Sequence, residues 1–350
     1  MKKTVDYIIV GQGIAGTTVA HELIRREKKI LIIDEYNPNS SSNIAAGVVN
    51  PITGRKMVKS WMIDDILPFA IQYYKQLEDT LGTSFFYEKK LLKIFSSEED
   101  IDVWKKKQTI DEYKNYLGEI IPSSEIDTSI NAPYGAGIIK HGCWMDVPEY
   151  IKASRKLFIK NTILLNEKFE YNLIKFTDKV QYKDIIANGI IFCEGYKAYL
   201  NPYFKWIPFS LAKGEHFIIR SESLKTTDIL NKNIFVIPKG NQTYNVGSTF
   251  IWDDMDENVT SAGREEVLGK FKKISTDAFT VIDEKAAIRP TMKDRRPVIG
   301  KHPKFQSLYV FNGLGTKGIS LSPYFSSYFA DYLDQNFTVL PEISVNRFGD

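Results

Sequence analysis

One stretch constrains this chain more than any other: the apolar run Tyr7-Ile8-Ile9-Val10 leads straight into Gly11-Gln12-Gly13-Ile14-Ala15-Gly16, and a second apolar run, Ile30 to Ile33, ends on Asp34 and Glu35. This order is that of a strand, a glycine turn, a helix and a parallel strand closing on an acid. Gly11 serves the tight turn, Gly13 lets the backbone approach a pyrophosphate, and Gly16 lets helix pack on strand. Ile14 and Ala15 open the helix, whose free N–H groups and dipole favour an anion. Asp34 is placed to accept from the hydroxyls of an adenosine ribose. Ile14, Ala15, Val19, Ala20, Leu23 and Ile24 give the helix one apolar face, so the motif sits in the context it needs. A dinucleotide is expected here, and at this point NAD and FAD fit equally, since both present the same ADP half.

The chain's 350 residues allow more than one domain, and a net charge of +3 is too small to imply nucleic acid by itself. Two cysteines, Cys143 and Cys193, form neither a disulfide framework nor a CxxC pair. The four histidines are scattered, and no metal-ligand spacing appears, so no metal is expected. The apolar run behind Met1-Lys2-Lys3 stops at Gly11, too early for a signal sequence, and no run reaches the ~20 apolar residues of a membrane span. A cytoplasmic protein is expected.

Further along, small residues cluster at Ser42 and at Ala45-Ala46-Gly47, as where a flat group meets backbone. Residues 61–80 carry a helical apolar face. Ile163-Leu164-Leu165 reads as another parallel strand, and Ile185-Ile186 with Ile190 to Phe192 reads as a hairpin around Asn188-Gly189, before Cys193-Glu194-Gly195. Residues 208–285 are dominated by strands. Gly313-Leu314-Gly315-Thr316-Lys317-Gly318 then opens a last helix, a second glycine loop far from the first. A lone NAD half-domain does not require it, whereas FAD has a distant isoalloxazine to place. The fold class is therefore α/β: a Rossmann-like domain from residues 1–80, 142–207 and 286–350, interleaved with an antiparallel-sheet substrate domain from 81–141 and 208–285.

In these blocks, together with Ile288-Arg289-Pro290, Asp294 and Pro297-Val298-Ile299-Gly300, the chain resembles the D-amino-acid-oxidase-like family of FAD-dependent oxidoreductases over nearly its whole length. The resemblance implies that Ser42, Ala46 and Gly47 border the pyrophosphate and flavin, with Gly195 beneath the cofactor. It puts Gly313, Gly315, Thr316, Lys317 and Gly318 along the flavin's pyrimidine edge. There a helix N-terminus and the Lys317 charge would favour the reduced, anionic ring. Lys317 as a solvated loop-tip lysine is the plainer alternative.

Arg289 is implied to hold a substrate carboxylate, work suited to a planar donor that stays charged. The competing reading pairs it with Asp283 or Glu284, and Arg295 and Arg296 are read as surface residues. The implied reaction is hydride transfer from an amine-bearing carbon to flavin N5, then imine hydrolysis. Some relatives place a lysine over the ring where this chain has Asn245, which bears on how the flavin is reoxidised. No cysteine follows Leu200, so FAD is expected to be non-covalent. Asn50-Pro51-Ile52 and the Gly313 loop also resemble a tRNA wobble-uridine modifying relative. That alternative makes an aminomethylated uridine the substrate, with Arg55, Lys56 and Lys59 against RNA phosphate. A non-catalytic nucleotide-binding scaffold and an NAD-dependent dehydrogenase are the remaining rivals. Neither the substrate nor the oligomeric state follows from the sequence.

Overall fold

The computed structural model describes residues 3–54, 56–335 and 337–349. Its first sheet is built on buried apolar strands. Ile8, Ile9 and the whole of Ile30–Ile33 are buried, as expected of parallel strands covered on both faces. Five strands run parallel, in the spatial order Leu164–Leu165, Ile30–Ile33, Lys3–Val10, Ile185–Phe192 and Leu308–Asn312. Antiparallel strands Val180–Tyr182 and Ile174–Phe176 extend one edge, and Val298–Lys301 pairs with Leu308–Asn312.

The expected hairpin at Asn188-Gly189 does not form, because Ile185–Phe192 is one continuous strand. Its first half pairs with Val180–Tyr182 and its second with Leu308–Val310. At the handover a Cβ on Gly189 would lie 2.6 Å from the Tyr309 ring. The glycine admits a neighbour and makes no turn.

Helix Ile14–Arg25 packs against the last helix, Gly318–Gln335, and Arg26 locks the pair by donating to Asp331 at 2.6 Å and to the Ser327 carbonyl at 3.2 Å. Helix Ile63–Leu81 lies on the same layer, where Tyr74 donates to the Ile319 carbonyl at 2.9 Å. Asp146 caps helix Val147–Lys160 by accepting from Glu149 N. Among the described residues no helix is long and apolar enough to cross a membrane.

Among the described residues the second sheet has eight strands, in the order Thr280–Arg289, Ala212–Arg220, Thr243–Gly247, Phe235–Gly240, Ile229–Asn231, Leu91–Ile94, Ala136–Ile139 and Leu117–Ile121. It draws on two separate lengths of chain and is antiparallel except between Ile229–Asn231 and Leu91–Ile94. Helix Ser261–Phe271 covers it with Val267 and Phe271. Thr280–Arg289 is one strand, so residue 286, the expected start of the last nucleotide-binding stretch, lies inside it. The strand carries Arg289 to the edge of the space between the two sheets.

Candidate active site

A cleft of about 1560 Å³ opens where four parallel strands end: Gly11 follows Val10, Asp34 follows Ile33, Cys193 follows Phe192 and Gly313 follows Asn312. Ligands of open α/β sheets bind at such carboxyl ends. The volume exceeds the ~300–1,000 Å³ of an ordinary single-ligand site.

The first loop fits its motif. Gly11 has φ +95°, and a Cβ there would meet the Cys193 carbonyl at 2.5 Å. A Cβ on Gly16 would stand 1.9 Å from the Gly11 carbonyl, so helix and turn touch through backbone alone. Helix Ile14–Arg25 begins at Gly13, which has no side chain to cap it, and carries no acid in its first turn, so its positive end faces the cleft at Gly13, Ile14 and Ala15. Ser42 is buried and accepts from Ile14 N at 2.9 Å, which ties the Ser41–Ile44 turn to that helix start. Gly47, at φ +89°, lies against the Met145 carbonyl, and Trp144 Nε1 donates to the Ala46 carbonyl at 3.1 Å.

Asp34 is held from several sides. Its Oδ2 accepts from Gln12 N at 2.9 Å, and its Oδ1 from Tyr36 N at 2.9 Å and Arg155 Nη1 at 2.7 Å. Arg155 also donates to Gln12 Oε1 at 2.8 Å and Asn166 at 2.6 Å, and it lies over the Tyr36 ring. Neither Arg155 nor Gln12 was singled out from sequence. Glu35 is exposed and meets Lys197 at 3.4 Å.

Gly195, at φ +57°, has nothing within 4 Å of a Cβ position, so it presents bare backbone to the cleft. Asn312 joins two strand ends by donating to the Gly195 carbonyl and accepting from Gly313 N. Beside Gly195, Glu194 accepts from Tyr171 and Asn201, and burial pushes its carboxyl up to about 7.

The second glycine loop faces the first. Gly313 has φ +73° and Gly315 φ +55°, and Gly315 N donates to the Pro290 carbonyl. A Cβ on Gly318 would lie 3.1 Å from Ile14 Cγ2, so the starts of the first and last helices adjoin. Thr316 is exposed. Lys317 is half-buried, not a solvated loop tip, and donates to Ser60 Oγ at 3.1 Å. Burial, then the nearby Arg295 and Arg296, lower its pKa. Arg295 is exposed at the cleft edge, while Arg296 lies over Trp61 and faces Glu342 at 3.8 Å.

Arg289 lines the cleft and has no carboxylate partner among the described residues. Glu284 pairs with Arg264 and Asp283 with Lys285, which removes the competing reading. The guanidinium donates to Ser248 Oγ at 2.6 Å and to the carbonyls of Thr249 and Lys213 at 3.2 and 3.4 Å, beneath the Phe250 ring. Burial lowers its pKa to about 10, so it keeps its charge at neutral pH. Asn245 does not face the cleft: it is buried and bonded to His216 Nδ1 at 2.7 Å. None of the four histidines lines the cleft. Among the described residues no group of His, Cys, Asp and Glu gathers for a metal.

Comparison with known proteins accounts for this arrangement. The family model described as DAO, FAD dependent oxidoreductase, matches residues 6–332. The chain is 23% identical to the oxidoreductase YurR of Bacillus subtilis (strain 168), over 91% of this chain and 92% of that protein. It is 26% identical to the tRNA 5-methylaminomethyl-2-thiouridine biosynthesis bifunctional protein MnmC of Leptospira interrogans, over 89% of this chain but only 54% of that protein. The fold superposes on the crystal structure of glycine oxidase from Geobacillus kaustophilus with a TM-score of 0.84 and 20% identity, covering 99% of this chain and 100% of that one. FAD, rather than NAD, is thus the cofactor, and the chain belongs to the DAO family of FAD-dependent oxidoreductases.

Proposed function

We propose that this enzyme oxidises the carbon–nitrogen bond of an amine or amino acid, with FAD lying along the cleft between its two glycine loops. One observation carries the reading: Arg289, charged and without a carboxylate of its own among the described residues, lines the cleft that the two glycine loops also line. The cofactor's fit rests on the backbone. Gly11, Gly13 and Gly16, with the helix start at Ile14 and Ala15, form a turn so tight that a Cβ on Gly11 or Gly16 would strike a backbone carbonyl, which leaves bare backbone to the cleft. In this proposal they take the pyrophosphate, Asp34 the ribose, Ser42, Ala46, Gly47 and Gly195 the middle, and the loop from Gly313 to Gly318 the flavin, with Glu35 at the outer rim. Attachment is non-covalent, since burial holds the cleft's one cysteine, Cys193, well above the usual thiol range and hence unreactive.

Bound flavin supplies the hydride acceptor. The protein's own task is orientation. Arg289 has five N–H hydrogens, of which the wall uses three, leaving two for a substrate carboxylate. Among the described residues Asp34, Glu35, Glu167, Glu170 and Glu194 are the acids lining the cleft, and none lies on the sheet that bears Arg289. The amine has to be neutral when it reacts, because its lone pair forms the C=N bond as the hydride leaves, and the imine product hydrolyses in water to a carbonyl compound and ammonia or an amine. Anaerobic titration of the yellow protein with a panel of amines and amino acids tests this. Bleaching of the flavin band supports it whatever the natural electron acceptor, and a band unchanged across the panel would leave a nucleotide-binding scaffold.

The MnmC relatives favour a second reading, action on an aminomethylated uridine of tRNA. Lys56 is exposed, whereas Lys59 is committed to Asp64 at 2.5 Å, and Arg55 lies outside the described residues. Binding of tRNA that falls steeply with salt would support it, since each phosphate neutralised releases condensed counterions.

A further inference from the structure

We propose that Phe250 and Trp252 form the side-chain subsite of this enzyme, and that its substrate is an anionic amine carrying a bulky planar group. The proposal rests on the reading of Arg289 given above and names the substrate class for that site.

Both aromatic rings line the cleft yet are more than half exposed, Phe250 at 56% and Trp252 at 54%. They flank Ile251, whose backbone bridges Lys213 in both directions at 2.8 and 3.0 Å. From either side of this bridge both residues line the same cleft. Phe250 covers the Arg289 guanidinium at 4.5 Å, which joins the apolar wall to the carboxylate anchor.

The segment is held rigidly. The Lys213 ammonium is fully buried and grips Asp254 at 2.7 Å and Asp256 at 2.6 Å. Thr249 Oγ1 accepts from Glu215 N at 2.9 Å, and Glu257 accepts from Tyr196 at 2.8 Å on the far side of the cleft. Two large apolar side chains kept facing a cleft by such anchors suit a ligand with a flat face, since rings gain from stacking and little ordering remains to be done on binding. A substrate as small as glycine would leave both rings uncovered.

The test uses the FAD-loaded protein with acetate and phenylacetate, read by perturbation of the flavin spectrum. Phenylacetate should bind about tenfold more tightly than acetate. Trp252→Ala should remove most of that ratio and change acetate binding less than about twofold, and Phe250→Leu, which keeps the apolar volume, should lower the ratio less. Equal binding of the two acids, or a ratio indifferent to Trp252→Ala, would overturn the subsite and leave amine oxidation standing. A surface serving a protein partner would give that same result. Binding of neither acid would overturn the subsite together with the assignment of Arg289.

Discussion

The guanidinium of Arg289 lies against the backbone of Gly214, where a Cβ would come within 1.8 Å of Nη2 and 2.1 Å of Cζ. The two residues lie on paired strands, and the arginine reaches Ser248 and Thr249 only by crossing the bare Cα.

Gly214→Ala should therefore displace the anchor without breaking the fold, since the clash is with the far end of a flexible side chain. KM for a carboxylate substrate is expected to rise about 10- to 100-fold in Gly214→Ala and in Arg289→Lys, the scale of a lost charged hydrogen-bond pair. FAD content, read from the absorption ratio, should stay at the wild-type level. A KM within twofold of wild type in both variants would take Arg289 out of the substrate site.

The Arg155–Asp34 contact makes a prediction at the other end of the cleft. The Arg155 side chain is 12% exposed and fixes one carboxylate oxygen, while backbone N–H groups fix both. Arg155→Met should weaken FAD binding about tenfold by removing the charged one of the three hydrogen bonds that hold the carboxylate in place, with Arg155→Lys partly restoring it. Titration of apoprotein by flavin fluorescence measures this. Riboflavin, which has no adenosine, provides the control: if its affinity falls equally, the residue acts on the whole fold and not on the ribose end.

How much of this was legible in the sequence varies residue by residue. Gly11, Gly16, Gly313 and Gly315 were readable because positive φ or backbone contact leaves no other residue type, and their spacing from apolar runs gave the context. The same logic misread Asn188-Gly189, since a glycine that admits the Tyr309 ring and a glycine that turns a hairpin look alike along one chain. Arg155 was invisible because it meets Asp34 across 121 positions, from a helix that otherwise carries ordinary surface charge. Gly214 acts through a paired strand and Asn312 reaches the distant Gly195, and no local pattern marks either. Arg289 was found through family resemblance, but its freedom from Asp283 and Glu284 needed three dimensions.

Lys213 tests whether the Phe250 loop is held as described. Lys213→Met keeps much of the volume but leaves the fully buried Glu215 side chain without its nearby ammonium at 3.7 Å, and it releases Asp254 and Asp256. Removing one partner of a buried ionic cluster costs about 3–5 kcal/mol. Denaturant unfolding of the loaded protein should show a loss of that order, accompanied by a higher KM because Thr249 and Ser248 no longer steady Arg289. Unaltered stability would mean that the cluster is solvated and that the loop is held by its backbone alone.

Glu194 gives the stability a pH dependence of defined sign. Its carboxyl is raised from the ordinary 4.5 to about 7, first by burial, against the opposing pull of hydrogen bonds from Tyr171 and Asn201. Between those two values the folded protein keeps a proton that the unfolded chain has released, so this group's contribution to stability declines as pH rises through the window. Full effect would be at most roughly 3–4 kcal/mol, from about 1.4 kcal/mol for each tenfold change in proton affinity. Urea midpoints of wild type and Glu194→Gln, measured from pH 4.5 to 8, should diverge, with the variant gaining relative stability as pH increases. Glutamine still accepts a hydrogen bond but cannot ionise, so curves that stay parallel would show that Glu194 is already charged throughout and reaches water beside Gly195.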